Sequence, residues 1–231
     1  MRAEAIVDLS AIKSNVELLK KTSGTKLLAV VKADAYGHGL IPVAQAALSA
    51  GADYLGVALL EEAVALREAG ITAPILAWLV QPGSDFSQAI SLDIDIAAAS
   101  LKALSEIAAA SRHLQKKARV HLEVDTGMTR GGFLAEWDQL NSEHVKGVEI
   151  VGIFSHFARA DEPGEKQNQD QMARFAEMVA KLEALGFSHL IKHLSNSAAT
   201  LKNNAAAFDM VRTGIAIYGL SPDVQTLGSS S

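Results

Sequence analysis

The chain has 231 residues, 49% of them hydrophobic, and 26 acidic against 21 basic side chains give a formal charge of −5. That is apolar material for one large core and a charge balance unsuited to nucleic acid. The absence of cysteine excludes disulfides, thiolate zinc sites and a cysteine nucleophile, and is compatible with a cytoplasmic location. No apolar run nears the roughly 20 residues that span a bilayer. Glu4 and Asp8 stand where an export signal would carry basic residues, so neither a membrane partner nor a leader is expected.

Met1 to Leu9, apolar at Ala3, Ala5 and Val7, reads as an extra strand outside the main fold. A helix follows, with Ile12, Val16 and Leu19 on one face. The run Lys26 to Val31 then reads as a buried strand, closed by Lys32 and the polar turn Ala33-Asp34-Ala35-Tyr36-Gly37-His38-Gly39. Desolvation at a core edge disfavours the charged form of an amine, which is the setting of a nucleophilic or Schiff-base lysine. Further strands are predicted at Tyr54 to Val57, Pro74 to Trp78, Asp95 to Ala97, Val120 to Val124, Glu149 to Phe154, Ile191 to Leu194 and Asp209 to Arg212. Helical periodicity fills the intervals, as with Phe175, Val179 and Leu182, and Gly51, Gly70 and Gly186 mark helix ends.

Eight strands alternating with helices imply an α/β protein with parallel pairing, and eight units favour a closed (β/α)8 TIM-type barrel over residues 10–222. A doubly wound sheet is the alternative; against it, no G-x-G-x-x-G follows the first strand. Residues 223–231, ending Gly228-Ser229-Ser230-Ser231, read as a linker.

Parallel barrel strands deliver their last residues to one face. Lys32 and Tyr36 follow the first strand; Glu123, Asp125 and Arg130 the fifth; His156 the sixth; Ser195, Asn196 and Ser197 the seventh; Arg212, Gly214 and Ile215 the eighth. Loops after the seventh and eighth strands are the usual phosphate position in barrels. There the Ser197 hydroxyl and N–H groups near Gly214 and Ile215 could cradle an anion. A lysine amine facing a phosphate cradle suggests pyridoxal phosphate. His121, alternating with apolar neighbours, reads as a core histidine. His189 and His193 have i, i+4 spacing but flank a strand, which argues against a metal pair.

The stretches VVKADAYGHG, VDTGMTRGG, FSHFARAD, SNSAA and DMVRTGIAIYG occur in the order of the alanine racemase motifs, and from about Glu4 to about Pro222 the chain resembles that family. The resemblance implies pyridoxal 5'-phosphate held through the Lys32 amine, its phosphate bonded by Tyr36, Ser197 and the backbone of Gly214 and Ile215, with Asn196 also in the cofactor site. Arg212 would lie against the pyridine nitrogen, supported by His156, and Arg130 near the substrate carboxylate. A guanidinium cannot accept a proton from the ring, so a weaker electron sink and racemisation over transamination are implied. Glu123 stands where many relatives have a carbamylated lysine, and is expected to orient Arg130 through a charge-assisted hydrogen bond.

The resemblance further implies conversion of L-alanine to D-alanine for cell-wall peptidoglycan, a homodimer, and a C-terminal β domain beyond the linker. That domain would carry the second base that racemisation requires. The 231 residues alone are therefore expected to be poorly active. Two other readings remain: a single-domain pyridoxal-phosphate carrier or homeostasis protein without racemase activity, and a phosphate-ligand barrel that binds no aldehyde.

Overall fold

The computed structural model describes residues 3–223 apart from 82, 163 and 203–205. Eight strands form one parallel sheet: β1 Lys26–Val30, β2 Tyr54–Val57, β3 Ile75–Ala77, β4 Asp95–Ala98, β5 Ala118–Glu123, β6 Val148–Phe154, β7 Ile191–His193 and β8 Met210–Thr213. They pair in chain order from β1 to β7, with β8 on the other side of β1. The seam between β7 and β8 is closed by Asp209 N–H donating to Lys192 O at 3.0 Å and Arg212 N–H donating to Ser195 O at 2.9 Å. The sheet is therefore a nearly closed barrel, as the eight-unit alternation implies.

Alternation along β1 explains why the run Leu27 to Val31 is apolar throughout. Leu27, Ala29 and Val31 pack outward against the helices, whereas Leu28 and Val30 join Tyr54, Leu76, Ala97, Phe154 and Met210 inside the barrel. Both faces are buried, so neither alternate set can be polar without compensation. The amphipathic helices Leu9–Ser23 and Lys166–Ala184 cover the outside with Ile12, Val16, Leu19 and Phe175, Val179, Leu182. At β6 the register against β5 shifts after Val120. There Gly152 makes room for the His121 ring, and a Cβ would also lie 2.8 Å from Ile191 O.

Two segments differ from expectation. Residues 3–8 form no strand, and Ile6 is 84% exposed. A barrel joined at its β7–β8 seam leaves no free edge for a ninth strand, and Asp8 instead caps the first helix, its Oδ1 accepting from Ser10 N–H at 2.8 Å. Between β5 and β6 the connection holds a 3-10 helix, Ala135–Gln139, in place of an α-helix. Of the expected linker, Asp223 pairs with the buried Lys202 ammonium; residues 224–231 lie outside the described residues. No helix among the described residues is long and apolar enough to cross a membrane.

Candidate functional site

A cavity of about 370 Å³ opens at the C-terminal ends of the strands, within the size range of small-ligand sites. Lys32, Tyr36, Glu123, Arg130, His156, Asn196, Ser197, Arg212, Gly214 and Ile215 all line it, whereas Asp125 and Ser195, also singled out at the strand ends, do not. Lys32, Arg130 and Arg212 face two carboxylates, Glu123 and Asp161, around this space. The excess of cations suits an anionic ligand.

Lys32 is half-buried and opens a turn, Lys32–Gly37, of unexpected form. Ala33, Asp34, Ala35 and Tyr36 all hold left-handed helical angles, with φ of 53°, 52°, 53° and 55°. Each non-glycine residue there costs roughly 1–2 kcal/mol. Closure of the turn by Gly39 N–H on Asp34 O at 2.9 Å and by Leu40 N–H on Asp34 Oδ1 at 2.7 Å offsets part of it. The turn stands Tyr36 at the rim, its ring 4.8 Å from that of Tyr218. Its hydroxyl reaches Gly214, where a Cβ would lie 2.6 Å from Tyr36 Oη. Glycine is thus needed at 214 to let Tyr36 reach the β8 loop.

At the same glycine, Ser197 Oγ accepts from Gly214 N–H at 3.0 Å and also from Ala216 N–H at 3.3 Å. This modifies the expected cradle: the Gly214 N–H is turned onto Ser197, whose hydroxyl proton remains to be donated. Asn196 caps the helix Ser197–Lys202, its Oδ1 accepting from Ala199 N–H at 3.1 Å. Near the β5 end, Asp125 Oδ1 accepts from Gly127, Met128 and Thr129 N–H at 2.8, 3.0 and 3.1 Å, fixing the loop that carries Arg130. The expected Glu123–Arg130 hydrogen bond is not formed among the described residues. Arg130 is exposed and acts on Glu123 through space. Burial raises the Glu123 carboxyl above its usual range, with Arg212 and Arg130 opposing that shift.

Arg212 is 6% exposed. Its Nη1 donates to His193 O at 2.8 Å and to His193 Nδ1 at 3.2 Å. Its Nη2 donates to Ser155 O at 2.7 Å and to His156 Nδ1 at 3.2 Å. Burial pulls the guanidinium down to about 10, which leaves it charged at neutral pH.

Because arginine only donates, His193 Nδ1 must accept, which puts the proton on Nε2. His193 Nε2 then donates to His121 Nδ1 at 2.9 Å, and His121 Nε2 to Asp95 Oδ2 at 3.3 Å. Asp95 also takes Arg119 Nε at 2.6 Å. A directional chain thus descends through the barrel interior from Arg212 to Asp95. His121 is the satisfied core histidine expected, and His193 belongs to this chain. Neither Asp95 nor the chain was foreseeable from strand ends, because its members come from the interior faces of β4, β5, β7 and β8.

His156 is pulled down to about 3, by burial first and then by Arg212, Arg130 and Lys32. Burial, then Arg212 and His121, hold His193 well below its usual value. Both imidazoles are neutral in the fold, whereas the unfolded chain takes up a proton on each below about pH 6.5. Their contribution to stability is therefore fully present above that pH and is lost as the pH falls toward about 3 for His156. Urea unfolding at pH 5 is expected to show roughly 2–4 kcal/mol less stability than at pH 7. A His156→Asn variant should lose about half of that difference; pH-independent stability over this interval would contradict the assignment.

Fold and site together define a (β/α)8-barrel protein with a lysine-bearing, cation-rich cavity at its C-terminal rim. Residues 7–222 match the family model described as alanine racemase, N-terminal domain, and the chain belongs to that family. It is similar to the alanine racemases of Salinispora tropica, 47% identical over 96% of this chain and 61% of the relative, and of Mycobacterium tuberculosis, 46% identical over 98% and 60%. Among solved structures, the alanine racemase of D-cycloserine-producing Streptomyces lavendulae superposes with TM-score 0.93 at 42% identity, covering 97% of this chain and 60% of that one. The Bacillus anthracis alanine racemase with bound L-Ala-P gives 0.84 at 37%, covering 96% and 58%. The chain thus spans about 60% of the length of the relatives it matches.

Proposed function

We propose that this chain is the cofactor-binding barrel of a pyridoxal-phosphate-dependent alanine racemase supplying D-alanine for peptidoglycan, working in the cytoplasm as a homodimer. The observation that carries this reading is the half-buried Lys32 amine in one cavity with the Tyr36 and Ser197 hydroxyls and the buried Arg212 guanidinium. The residues fit the group: Gly214 has no space for a Cβ beside Tyr36 Oη, and its N–H lies on Ser197 Oγ, which brings both hydroxyls to the one glycine at the cavity wall. When bound, pyridoxal phosphate supplies an electron sink that acidifies the α-C–H of an amino acid joined to it.

Lys32 Nζ holds the group and exchanges the α-proton on one face. Tyr36 Oη and Ser197 Oγ donate to the phosphate, with the backbone at Gly214 and Ile215 beside them, and Asn196 holds the start of helix Ser197–Lys202 in place. Arg212, locked by His193 and His156, presents a cation that cannot take the ring proton, which limits delocalisation and favours prompt return of the α-proton. Arg130, exposed and without a hydrogen bond among the described residues, is available to the substrate carboxylate. Glu123 tempers the positive field between Arg130 and Arg212.

Racemisation needs a second proton-transfer group on the opposite face. It is expected from the part of the relatives' length that the match does not cover, so residues 1–231 alone should hold the ligand and racemise poorly. Interconversion of L- and D-alanine by the protein at its relatives' full length, supplied with pyridoxal phosphate, tests the reading. Ligand binding at Lys32 without interconversion, in the protein at its relatives' full length, would favour a carrier instead.

A further inference from the structure

The left-handed turn Ala33 to Tyr36 contains no glycine, and such a turn persists only where its surroundings over-determine it. Most of its hydrogen bonds are local. Among the described residues, one bond carries its backbone to another element: Ala33 N–H donates to Glu62 Oε1 at 2.6 Å. The other oxygen of that carboxylate, Oε2, accepts from Ala58 N–H at 2.9 Å and Leu59 N–H at 3.0 Å, at the start of helix Leu60–Glu68.

A bland reading makes Glu62 a first-turn glutamate that bonds back to its helix start. Oε2 alone fulfils that role. The Oε1 bond reaches 29 residues upstream, joining the exit of β2 to the residue that follows Lys32. Only a carboxylate serves all three donors. A carboxamide has one accepting oxygen, and its NH2 would face an N–H whichever way it turned.

We propose that Glu62 is a positioning residue for the phosphate end of the site. By holding Ala33 it fixes the left-handed turn, and the turn sets Tyr36 Oη against Gly214, whose N–H is held by Ser197. The inference rests on the reading of this cavity as a pyridoxal-phosphate site, in which Tyr36 meets the phosphate. Glu62 itself does not line the cavity, so its influence is exerted through the turn.

The test compares pyridoxal phosphate with pyridoxal, which lacks the phosphate, by equilibrium dialysis against the wild type, Glu62→Gln and Glu62→Gln combined with Ala33→Gly. Loss of one charge-assisted bond should weaken pyridoxal phosphate about tenfold in Glu62→Gln, with pyridoxal changed less than about twofold. Glycine adopts positive φ without strain, so the added Ala33→Gly should recover most of the loss. A defect of general folding would weaken both ligands alike and would not be rescued within the turn; that result overturns the inference. If the wild type prefers the phosphorylated ligand and Glu62→Gln matches it, the inference alone fails. A wild type that does not distinguish the two ligands overturns the phosphate-site reading and the inference with it.

Discussion

Replacing Lys32 by arginine is expected to abolish the borohydride-fixed adduct with pyridoxal phosphate and, in the protein at its relatives' full length, to lower alanine interconversion by at least about 10³-fold, while the fold survives. A guanidinium keeps the positive charge but stays protonated at neutral pH, so it is neither a nucleophile nor a base. The Lys32 ammonium makes no hydrogen bond or ion pair among the described residues, and the residue is half-exposed. Its replacement therefore removes chemistry without removing packing. Peptide mapping of the reduced wild type should place the adduct on Lys32, and thermal unfolding without ligand should be unchanged. An adduct of equal yield on another lysine of the arginine variant would sink the assignment.

The second large effect concerns stability. Asp95→Asn is expected to cost about 3 kcal/mol, since it breaks the hydrogen-bond and ion-pair network around a buried carboxylate, or roughly 10 °C in Tm for a chain of this size. Asp95 is 1% exposed and accepts from Arg119, His121 and, at 3.4 Å, the Tyr54 hydroxyl. Burial alone would push its carboxyl up, but the His121 and Arg119 interactions together hold it below the usual range.

An asparagine could satisfy His121 by turning its NH2 toward Nε2, which would reverse the tautomers of His121 and then of His193. The reversed chain would end with His193 Nδ1–H pointing at Arg212, which can only donate. Chain direction is fixed at both ends, so asparagine leaves a conflict whichever way it turns. Calorimetry of the variant checks the cost. A Tm within about 2 °C of the wild type, less than 1 kcal/mol at this chain length, would show that the chain does not depend on its carboxylate.

The strands were legible because parallel barrel strands bury both faces and therefore appear as short apolar runs between turn signals. All eight expected segments contain an observed strand core, with ends shifted by one or two residues where hydrogen bonding continues beyond the apolar run, as at Ala118 and Arg119 of β5. The site was legible for a related reason, since a lysine, histidine or arginine at a strand end needs an explanation. What escaped is what no local window holds. The Asp95–His121–His193 chain spans separations of 26 and 72 residues. Ala33 and Ala35 carry no sign that they adopt angles normally left to glycine, and Glu62 looks like an ordinary first-turn acid. The N-terminal strand was expected from alternation in small residues, which carries little burial energy and here finds no edge to pair with.

The seam between β7 and β8 joins parts of the sheet that are brought together only when the last strand arrives. Two backbone bonds span it, reinforced by Arg212 reaching from β8 to His193 O on β7. The cavity straddles the same line, with Ser197 on one side and Gly214 on the other. A ligand gripping both sides acts as a clasp on that joint. Occupancy would then retard opening of the seam and guard the protein against proteolysis, making the lifetime of the fold itself a function of ligand supply.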